Sequence, residues 1–538
     1  MNSIYKCNSI RRHEQPANDK LLSLIQSLET SADFDHPVDQ FEIVETHISY
    51  ILLTGPYAYK FKKPIDLGFL DFSTLNKRKR YCEEELRLNG RHAAELYQDV
   101  ITITGDEQSP VINGKGPTLE YAVKIVQFDR NLELDKLIVK EGLTPTLIDK
   151  LATVIAAFHK EAKVADEKSD AGSLTYIWHP VAENFSQIKA RMHNDRLYSE
   201  RLESLAQWSE AEFEKLRHAF KVRKAQGFVR ECHGDMHLGN IVLINNEPVI
   251  FDCIEFSEDL RWIDVINDIA FLIMDLDEHE CPELSYRLLN AYLEHTGDYA
   301  GLDVLHFYLV YRAVVLAKVA CIRLEQEHHD KQAQSNYQHY IDMACTYTEQ
   351  QQAVLFMTYG VSSSGKTTVS QSLLERWGAI RIRSDLERKK LHGLTADAKT
   401  GSTVGGGLYS PENTQRTYNK LSGLSIDLLN ADYSVIIDAT FLQACYRRDF
   451  IELAYACNVS FVILHCRASE ERLKKRIQQR HVKGDDASEA DLNVLAHQLE
   501  TLEPLNDDEK QFCVTIDTDQ ELDIDTILTT IKSELKQW

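Results

Sequence analysis

Residues 360–367 form a glycine-rich segment whose residue types suit the binding of phosphate. They read Gly-Val-Ser-Ser-Ser-Gly-Lys-Thr and match the complete pattern GxxxxGK[ST]. The sequence predicts an apolar strand before them at Val354–Tyr359 and a helix after them at Thr368–Trp377. In such a loop, backbone N–H groups and a lysine hold the phosphates, and a threonine hydroxyl ligates Mg²⁺. We therefore predict a nucleotide site with Lys366 as a catalytic cation and Thr367 at the metal, formed by Gly360, Ser362, Ser363, Ser364, Gly365, Lys366, Thr367 and Thr368.

Two carboxylates that follow predicted strands could act beside this loop. Asp438 ends the strand Ser434–Ile437, where an acidic group would hold the water shell of Mg²⁺. Asp385 follows the strand Ala379–Ile382 and could accept the proton of an attacking hydroxyl, while Arg388 could hold a substrate anion. The alternatives are a buried structural aspartate at 438 and a helix cap with a solvated basic helix after 384.

Three arginines further along recur every four residues and therefore lie on one face of a predicted helix: Arg472, Arg476 and Arg480. Such a face can close over a triphosphate, so we predict that Arg472 and Arg476 bind nucleotide. A solvated charged stripe is the alternative. The glycine-rich stretch 400–409 indicates either a mobile substrate loop or a long connection.

A second set of candidate residues lies between 233 and 252. It reads His233-Gly-Asp235-Met-His237-Leu-Gly-Asn240, continues through a hairpin predicted at Asn240–Leu243 and Pro248–Phe251 with a four-residue loop, and reaches Asp252. Phosphoryl transfer needs a carboxylate near the acceptor hydroxyl, and an amide oxygen with a second carboxylate to fix the metal ions. We predict the first role for Asp235 and the metal-binding role for Asn240 and Asp252.

This half of the chain resembles the aminoglycoside/choline phosphotransferase family, whose signature is HGDxHxxN followed by DxExF. The resemblance implies a bilobal, protein-kinase-like fold that uses ATP and Mg²⁺. It also implies a structural role beneath the catalytic loop for Asp264 and Asp268.

A kinase-like fold needs a lysine on a strand of the small lobe, paired with a glutamate on a helix, to grip the α- and β-phosphates. The strand Ala58–Lys62 offers Lys60 and Lys62 on one face, and we predict Lys60. Its partner is Glu85 or a neighbour, Glu83 or Glu84, on a helix predicted over Leu75–Leu96. No GxGxxG precedes Lys60, since only Thr54-Gly-Pro stands there.

The C-terminal part resembles the P-loop small-substrate kinases, which include polynucleotide kinases, gluconate-type kinases and zeta-toxin-like kinases. The resemblance covers about 351–515 and depends on the 360–367 loop, the SDLER segment at 384–388, the strand that ends at Asp438 and the arginine-bearing helix. It implies that Asp385 is the hydroxyl-activating base and Asp438 the carboxylate on the metal side. No guanine-reading NKxD follows, which favours ATP over GTP.

The order of predicted elements divides the chain into a short tail and two domains. Residues 1–34 form an N-terminal tail or helix, and 35–350 form an α+β bilobal kinase-like domain with a β-rich small lobe at 35–130 and a helical lobe at 131–350. Residues 351–538 alternate strands and helices, which predicts an α/β P-loop domain with a parallel sheet.

Composition limits the partners and the compartment. The 538 residues carry 60 Lys and Arg against 83 Asp and Glu, a net charge of −23, which disfavours binding along a nucleic-acid backbone. The 11 cysteines contain no CxxC pair, the N-terminus has no apolar signal segment, and Arg312 and Lys318 interrupt the longest apolar run. We predict a cytoplasmic protein without a membrane segment.

These features together predict an ATP-dependent phosphotransferase with two nucleotide sites and a small hydroxyl compound as acceptor. One alternative makes one domain, the N-terminal one first, a nucleotide- or metabolite-binding regulator of the other. Another makes the P-loop half a nucleic-acid 5′-hydroxyl kinase that uses the basic residues near 381–390. The sequence leaves the acceptor and the oligomeric state open.

Overall fold

A computed structural model describes residues 15–68, 70–191, 196–326, 331–350, 352–395, 398, 406–483 and 491–535. The chain divides into two compact units. The N-terminal unit contains residues 1–279 and 304–348, and the C-terminal unit contains 280–303 and 349–538. The predicted boundary near residue 350 places 280–303 in the N-terminal domain. In the structure this segment instead groups with the C-terminal unit.

An antiparallel sheet of six strands forms the first lobe of the N-terminal unit. In spatial order the strands are Glu42–Glu45, Ser49–Leu53, Tyr57–Lys62, Thr118–Val126, Tyr97–Asp106 and Ser109–Ile112. The helix Gln15–Ser31 packs its apolar face, which includes Ile25 and Leu28, against this sheet. The helix Leu75–Asn89 faces the third strand, and this places side chains of helix and strand in contact.

Helices dominate the second lobe of this unit. They are Leu134–Lys140, Pro145–Glu161, Leu174–Arg191, Arg196–Ala225, Glu258–Arg261, Val265–Glu278, Leu302–Gln326 and Lys331–Thr346. The helix Leu302–Gln326 belongs to this unit from Val304 onward. Short 3₁₀ turns lie at Arg130–Leu132 and Leu238–Asn240. Two small antiparallel pairs lie among them: Val229–Glu231 with Trp262–Asp264, and Ile241–Ile244 with Glu247–Ile250. Residues 233–240 connect these two pairs.

One helix in the described part of the chain, Tyr299–Leu324, is long and apolar enough to cross a membrane. Of the apolar 18-residue stretch in this helix, 72% is buried inside the fold. Core helices of globular domains have this property as well.

The C-terminal unit is built on five parallel strands. Their spatial order is Ile380–Arg383, Val435–Asp438, Val354–Tyr359, Ser460–Arg467 and Cys513–Asp517. The strand order reverses direction at Val354–Tyr359, and ligands of such sheets bind at the carboxyl ends of the strands there. The connecting elements are Lys366–Leu373 with a π turn at Leu374–Gly378, Ser384–Leu391, Pro411–Asn430, Ala444–Ala456, Glu470–Lys483, Leu492–Thr501, Asp507–Lys510 and Ile524–Leu535.

The helix Pro282–Thr296 covers the edge strand Ile380–Arg383 of this sheet. Asn290 Oδ1 accepts the backbone N–H of Arg381 at 2.7 Å, and Asn290 Nδ2 donates to the carbonyl of Ala379 at 3.0 Å. One side-chain amide therefore bonds the strand as a neighbouring strand would, which protects an edge that could otherwise pair with another chain.

The predicted elements are present, with different ends. The helix predicted over 75–96 ends at Asn89, because the Asn89 side chain bonds backbone groups of Glu85 and Cys253 and Gly90 follows. The helix predicted over 368–377 begins at Lys366 and changes to a π turn after Leu373. The strand Ser109–Ile112 was not predicted, since Pro110 weakens the strand pattern at this sheet edge.

The hairpin predicted at Asn240–Leu243 and Pro248–Phe251 has a shorter loop than the four residues expected. Its strands are Ile241–Ile244 and Glu247–Ile250, joined by two asparagines with φ of 53° and 64°. Positive φ at both loop positions is the geometry of a type I′ turn, for which asparagine is well suited.

Candidate active sites

In the N-terminal unit, two lysines of the strand Tyr57–Lys62 point at one carboxylate. Lys60 Nζ lies 2.8 Å from Glu85 Oε1, and Lys62 Nζ lies 2.6 Å from Glu85 Oε2. Residues two apart on a strand share a face, so one glutamate can serve both lysines. Glu85 is completely buried on the helix Leu75–Asn89.

The two neighbouring glutamates lie elsewhere. Glu84 pairs with Arg87 and Arg261, and Glu83 faces Lys79 on the exposed side of the helix. Of the three predicted partners, the structure brings only Glu85 to Lys60.

Two further carboxylates from the segment after the hairpin complete the cluster. Asp252 Oδ1 lies 2.5 Å from Lys60 Nζ, and Glu255 accepts a hydrogen bond from Lys62 Nζ. Two residues separate Asp252 from Glu255, one more than in DxExF. Asp252 has a φ of 65°, which is uncommon for a residue other than glycine. Each lysine thus has its own carboxylate in addition to the shared Glu85.

Burial and charge act in opposite directions on this cluster. Burial lowers the pKa of Lys60, but Asp252 and Glu85 outweigh burial and raise that pKa well above its ordinary value. Burial raises the pKa of Glu85, and the two lysines outweigh it and lower the pKa to about 2. Lys60 and Glu85 are therefore both charged at neutral pH.

Asp235 lies in the segment His233–Asn240, which we call the catalytic loop, and its side chain is buried. Asn240 Nδ2 donates to the Asp235 carbonyl at 3.0 Å and to Asp235 Oδ2 at 3.2 Å. His237 Nε2 lies 3.6 Å from the same Oδ2. Because the Gly239 N–H donates to His237 Nδ1, we assign the imidazole proton to Nε2, the nitrogen that faces Asp235.

Burial raises the pKa of Asp235, but His237, His233 and Arg312 together outweigh burial and hold that pKa below its ordinary value. Asp235 is thus a carboxylate at neutral pH. Only that form can accept the proton of an attacking hydroxyl.

A buried carboxylate fixes the backbone of the catalytic loop from below. Asp268 accepts the backbone N–H groups of His233 at 2.9 Å and Gly234 at 2.8 Å, and its Oδ2 lies 3.2 Å from His159 Nε2. Asp264 instead caps the helix Val265–Glu278 and pairs with Arg223. Asp268 therefore has the position beneath the loop that the family resemblance implies, whereas the contacts of Asp264 are with its own helix and Arg223.

Two side-chain oxygen atoms in this unit would suit a divalent metal ion such as Mg²⁺. Asn240 Oδ1 is buried and has no hydrogen-bond partner among the described residues. Asp252 supplies a carboxylate, and Asn240 is already bonded to Asp235 through its other amide atom. An amide oxygen and a carboxylate are hard oxygen ligands of the kind that Mg²⁺ prefers. Asn240 and Asp252 therefore fit the metal role.

In the C-terminal unit, the segment Gly360–Thr367, which we call the P-loop, follows the strand Val354–Tyr359 directly. Gly360 has a φ of 148°, and a Cβ there would lie 2.6 Å from the carbonyl oxygen of Cys466. Ser363 and Gly365 also take positive φ, so the chain winds tightly around the loop. Lys366 Nζ bonds the Val361 carbonyl at 2.7 Å, which holds the ammonium across the loop.

The remaining predicted groups of this unit lie at the carboxyl edge of the sheet. Asp438 is buried at the end of its strand and accepts a hydrogen bond from Ser370 Oγ at 3.2 Å. Asp385 lies in the first turn of the helix Ser384–Leu391, and burial raises its pKa above the ordinary value. Thr367 and Thr368 are exposed on the first turn of the helix after the P-loop. A hydroxyl and a carboxylate suited to Mg²⁺ thus come from Thr367 and Asp438.

The predicted arginines differ in their surroundings. Arg388 is buried, donates to the Leu408 carbonyl at 3.1 Å, and its Nε has no partner among the described residues. Arg476 donates to the carbonyl oxygens of Ser363 and Thr518. Arg472 is exposed, and the side chain of Arg480 lies outside the described residues. Most of the 400–409 stretch also lies outside them.

The structure adds contacts that sequence reasoning missed. Glu255 was not predicted as the partner of Lys62, although its place three residues after Asp252 brings it to the same lysine-bearing face. Thr518 Oγ1 donates to the Ser364 carbonyl at 2.9 Å and braces the P-loop. Thr518 directly follows the strand Cys513–Asp517, and that position at the carboxyl edge of the sheet is the signal that could have found it.

Family models match two separate stretches of the chain, and the first match includes the 280–303 segment that groups with the C-terminal unit. Residues 134–305 match the model of the phosphotransferase enzyme family, and residues 355–505 match a model described as an AAA domain. Among solved structures, a choline kinase from Cryptosporidium parvum is 12% identical, with a TM-score of 0.40, covering 61% of this chain and 96% of its own. A gluconokinase from Sinorhizobium meliloti is 20% identical, with a TM-score of 0.24, covering 35% of this chain and 92% of its own.

Curated relatives extend over both halves. Uncharacterized proteins of Mycobacterium tuberculosis and Mycobacterium bovis are each 30% identical to the chain over 467 residues. The match covers 84% of this chain and 89% of each relative. The chain therefore belongs to the same family as these mycobacterial proteins, and it joins a kinase-like phosphotransferase domain to a P-loop kinase domain.

Proposed function

We propose that the N-terminal unit transfers the γ-phosphoryl group of ATP to a hydroxyl of a small molecule. The observation that carries this proposal is the position of Asn240, whose amide nitrogen bonds Asp235 while its buried amide oxygen lacks a partner. One residue thus orients the proton acceptor and offers a metal ligand beside it. That coupling is what phosphoryl transfer to a hydroxyl requires.

Each residue of the cluster has a role in this reaction. Asp235 Oδ2 takes the hydroxyl proton as the oxygen attacks the γ-phosphorus, the bond from that phosphorus to the β,γ-bridging oxygen breaks, and ADP leaves. Asn240 keeps the Asp235 carboxylate in place. Lys60 binds the α- and β-phosphates, and it gives up part of its contact with Asp252 when it does so. Glu85 keeps the Lys60 ammonium oriented. Asn240 and Asp252 would hold Mg²⁺, which when bound would supply positive charge to the phosphate oxygens.

We propose the same class of reaction for the C-terminal unit. The P-loop N–H groups and Lys366 bind the triphosphate, and Thr367 and Asp438 would hold Mg²⁺. Asp385, whose pKa burial raises, accepts the proton of the acceptor hydroxyl. Arg476 ties the helix Glu470–Lys483 to the P-loop through Ser363, so this helix stays close to the bound nucleotide.

The charges near Asp385 support a small acceptor over a nucleic acid. Of the basic residues at 381–390, Arg381 and Arg383 face Glu294, and Lys390 pairs with Glu387. Arg388 is buried. Cations that already have carboxylate partners gain less from a phosphate backbone than free ones.

The test is ATP consumption by the purified full chain with Mg²⁺ and a pooled extract of small metabolites. Asp235→Ala and Lys366→Ala are compared with the exposed controls Asp99→Ala and Lys420→Ala, all with folding verified. We expect extract-stimulated turnover that falls at least 100-fold at the mutated site and is unchanged in the controls. Turnover equal to the parent in both site variants, with nucleotide still bound, would support the regulatory alternative and overturn the proposal.

A further inference from the structure

Asp252, the proposed metal ligand, lies in the backbone segment 251–254, and hydrogen bonds hold every N–H group of that segment. The Phe251 N–H donates to the Asn240 carbonyl at 2.9 Å, and the Ile254 N–H donates to the His233 carbonyl at 3.1 Å. His233 Nε2 also donates to the Phe251 carbonyl at 2.8 Å. These bonds tie both ends of the segment to the catalytic loop.

Side chains of the first lobe hold the two central N–H groups. The Asp252 N–H donates to Tyr97 Oη at 3.2 Å, and the Cys253 N–H donates to Asn89 Oδ1 at 3.0 Å. Tyr97 begins a strand of the six-stranded sheet, and Asn89 is the last residue of the helix that carries Glu85. The segment with the metal ligand is therefore bonded to both lobes of the N-terminal unit.

Asn89 bonds the helix of Glu85 and the segment of Asp252 at once. Its Nδ2 donates to the Glu85 carbonyl at 2.9 Å, while its Oδ1 accepts the N–H of the residue after Asp252. Glu85 in turn contacts Lys60, and Lys60 contacts Asp252. A closed ring of contacts thus makes the lysine–glutamate pair and the metal ligand depend on one arrangement.

Asp252 has a backbone conformation that needs support from its surroundings. Its φ of 65° lies in the left-handed region, where residues other than glycine are uncommon. Such a conformation persists only where neighbouring groups enforce it. Rotation about φ moves the side chain relative to the adjoining peptides, so the bonds that fix the backbone also fix the carboxylate. The carboxylate position at stake is the one 2.5 Å from Lys60 Nζ.

The two supporting side chains are buried, and one of them combines packing with a hydrogen bond. Tyr97 is 5% exposed and Asn89 is fully buried. The Tyr97 ring packs in an apolar cluster with Leu96, Val123 and Val249. A phenylalanine ring would fill the same space, so the packing does not require the hydroxyl. The hydroxyl oxygen serves the backbone N–H of the metal ligand, and a buried N–H without an acceptor is costly.

Resting on the metal role proposed above for Asp252, we propose that Tyr97 and Asn89 are positioning residues of the N-terminal reaction. They act through the backbone N–H groups of 252 and 253, and they hold the Asp252 carboxylate where it binds the metal ion. Because Asn89 also bonds the backbone of Glu85, a shift of that helix would release the carboxylate as well. Phosphate binding by Lys60 and metal binding are thereby coupled.

Metal binding to the full chain tests this proposal without turnover. The probe is Mn²⁺ with adenylyl imidodiphosphate, an ATP analogue that is not a phosphoryl donor, and electron paramagnetic resonance measures the free and bound ion. Every protein carries Lys366→Ala and Thr367→Ala to weaken binding at the P-loop. The Asp252→Asn variant of this background defines the Mn²⁺ binding that does not depend on Asp252.

Each positioning variant is expected to weaken the Asp252-dependent Mn²⁺ affinity. We expect a loss of about fivefold or more in Tyr97→Phe and in Asn89→Ala, because each leaves a backbone N–H beside the carboxylate unbonded. The matched control Tyr455→Phe removes a hydroxyl at a residue that is 60% exposed and should leave the affinity unchanged. Denaturant unfolding compares the stability of the same proteins.

Mn²⁺ affinity equal to that of the background in both variants would overturn the proposal. A Tyr97→Phe protein that is less stable but binds Mn²⁺ with unchanged affinity would show a structural role alone and would overturn it for Tyr97. If Asn89→Ala does not fold, Tyr97→Phe decides the question, since it removes a single oxygen atom.

Asp252→Asn separates this proposal from the metal role on which it rests. If Asp252→Asn and the two positioning variants all weaken Mn²⁺ binding, both proposals stand. If only Asp252→Asn weakens it, the metal role stands and the positioning role fails alone. If Asp252→Asn binds Mn²⁺ as tightly as its background, the metal role proposed for Asp252 is wrong, and the positioning role falls with it.

Discussion

Glu85 joins Lys60 and Lys62, with one carboxylate oxygen 2.8 Å from the first ammonium and the other 2.6 Å from the second. The two lysines then diverge, because Lys60 reaches Asp252 and Lys62 reaches Glu255. Lys60 thus contacts a candidate metal ligand, Asp252, whereas Lys62 is completely buried. We therefore assign phosphate binding to Lys60 and a structural role to Lys62.

Replacing the two lysines separately tests this assignment. Lys60→Met is expected to lower kcat/KM for ATP by about 100-fold, because it removes the cation that contacts the phosphates. Lys62→Met is expected to lower the free energy of unfolding by about 3 kcal/mol, because it leaves the buried Glu255 without its cation. Steady-state kinetics and denaturant unfolding measure the two effects. A folded Lys62→Met protein that is as inactive as Lys60→Met would contradict the division of roles.

Asp268 makes the stability of the N-terminal unit sensitive to acid. Burial raises its pKa, but the hydrogen bond from His159 and the charges nearby outweigh it and lower the pKa to about 2, from an ordinary 3.8. Its contribution, about 2 kcal/mol, is present above pH 4 and is lost as pH falls toward 2.

Chemical denaturation of the parent and Asp268→Asn at two pH values measures this contribution. The difference in unfolding free energy between them should shrink by about 1 kcal/mol from pH 5 to pH 3. A difference that stays constant or grows would show that the folded protein does not hold Asp268 ionised.

Asn290 stabilises the C-terminal unit although it precedes the predicted domain boundary. Asn290→Leu leaves a backbone N–H of Arg381 and a carbonyl of Ala379 without their partner, at an expected cost of about 2–3 kcal/mol. The exposed Asn419→Leu is the matched control. Differential scanning calorimetry should show a lower melting temperature for the transition that contains the P-loop unit.

The same contact predicts the behaviour of fragments. A fragment of residues 351–538 lacks Asn290 and Glu294 and should melt lower or aggregate more than the unit within the full chain. A 351–538 fragment as stable as the full-chain unit would contradict the role of the 282–296 helix.

Asp385 should control the acidic limb of the C-terminal reaction. Burial raises its pKa above 3.8, so protonation removes the base at a higher pH than an exposed aspartate would show. Asp385→Asn is expected to lower kcat by about 100-fold or more while leaving nucleotide affinity within about threefold. Rates between pH 4 and 8, measured once an acceptor is found, test this. A kcat that is unchanged in Asp385→Asn would give the base role to another group.

Local patterns predicted the parts of both sites that depend on short spacing. The P-loop and the catalytic loop are each fixed within eight residues, and alternation placed Lys60 and Lys62 on one face of their strand. Spacing along the helix from Leu75 could not select Glu85 over Glu84, because the choice depends on the angle at which the helix crosses the strand. That angle follows from packing of residues such as Cys82 and Val123, far apart in sequence.

Contacts across long sequence separations were not predictable. The bond of Asn290 to a strand 91 positions later depends on which edge of the parallel sheet a helix covers, and the periodicity of that helix gives no information about its partner.

Transfer of radiolabel from [γ-³²P]ATP to metabolites is the decisive experiment. The full chain is incubated with Mg²⁺ and a small-metabolite extract, and the products are separated beside those of Asp235→Asn, Lys366→Ala and the double variant. We predict labelled phosphomonoesters, each lost in one single variant and all lost in the double variant. Label that appears only as inorganic phosphate, or products that persist in the double variant, would contradict phosphotransfer at these two sites.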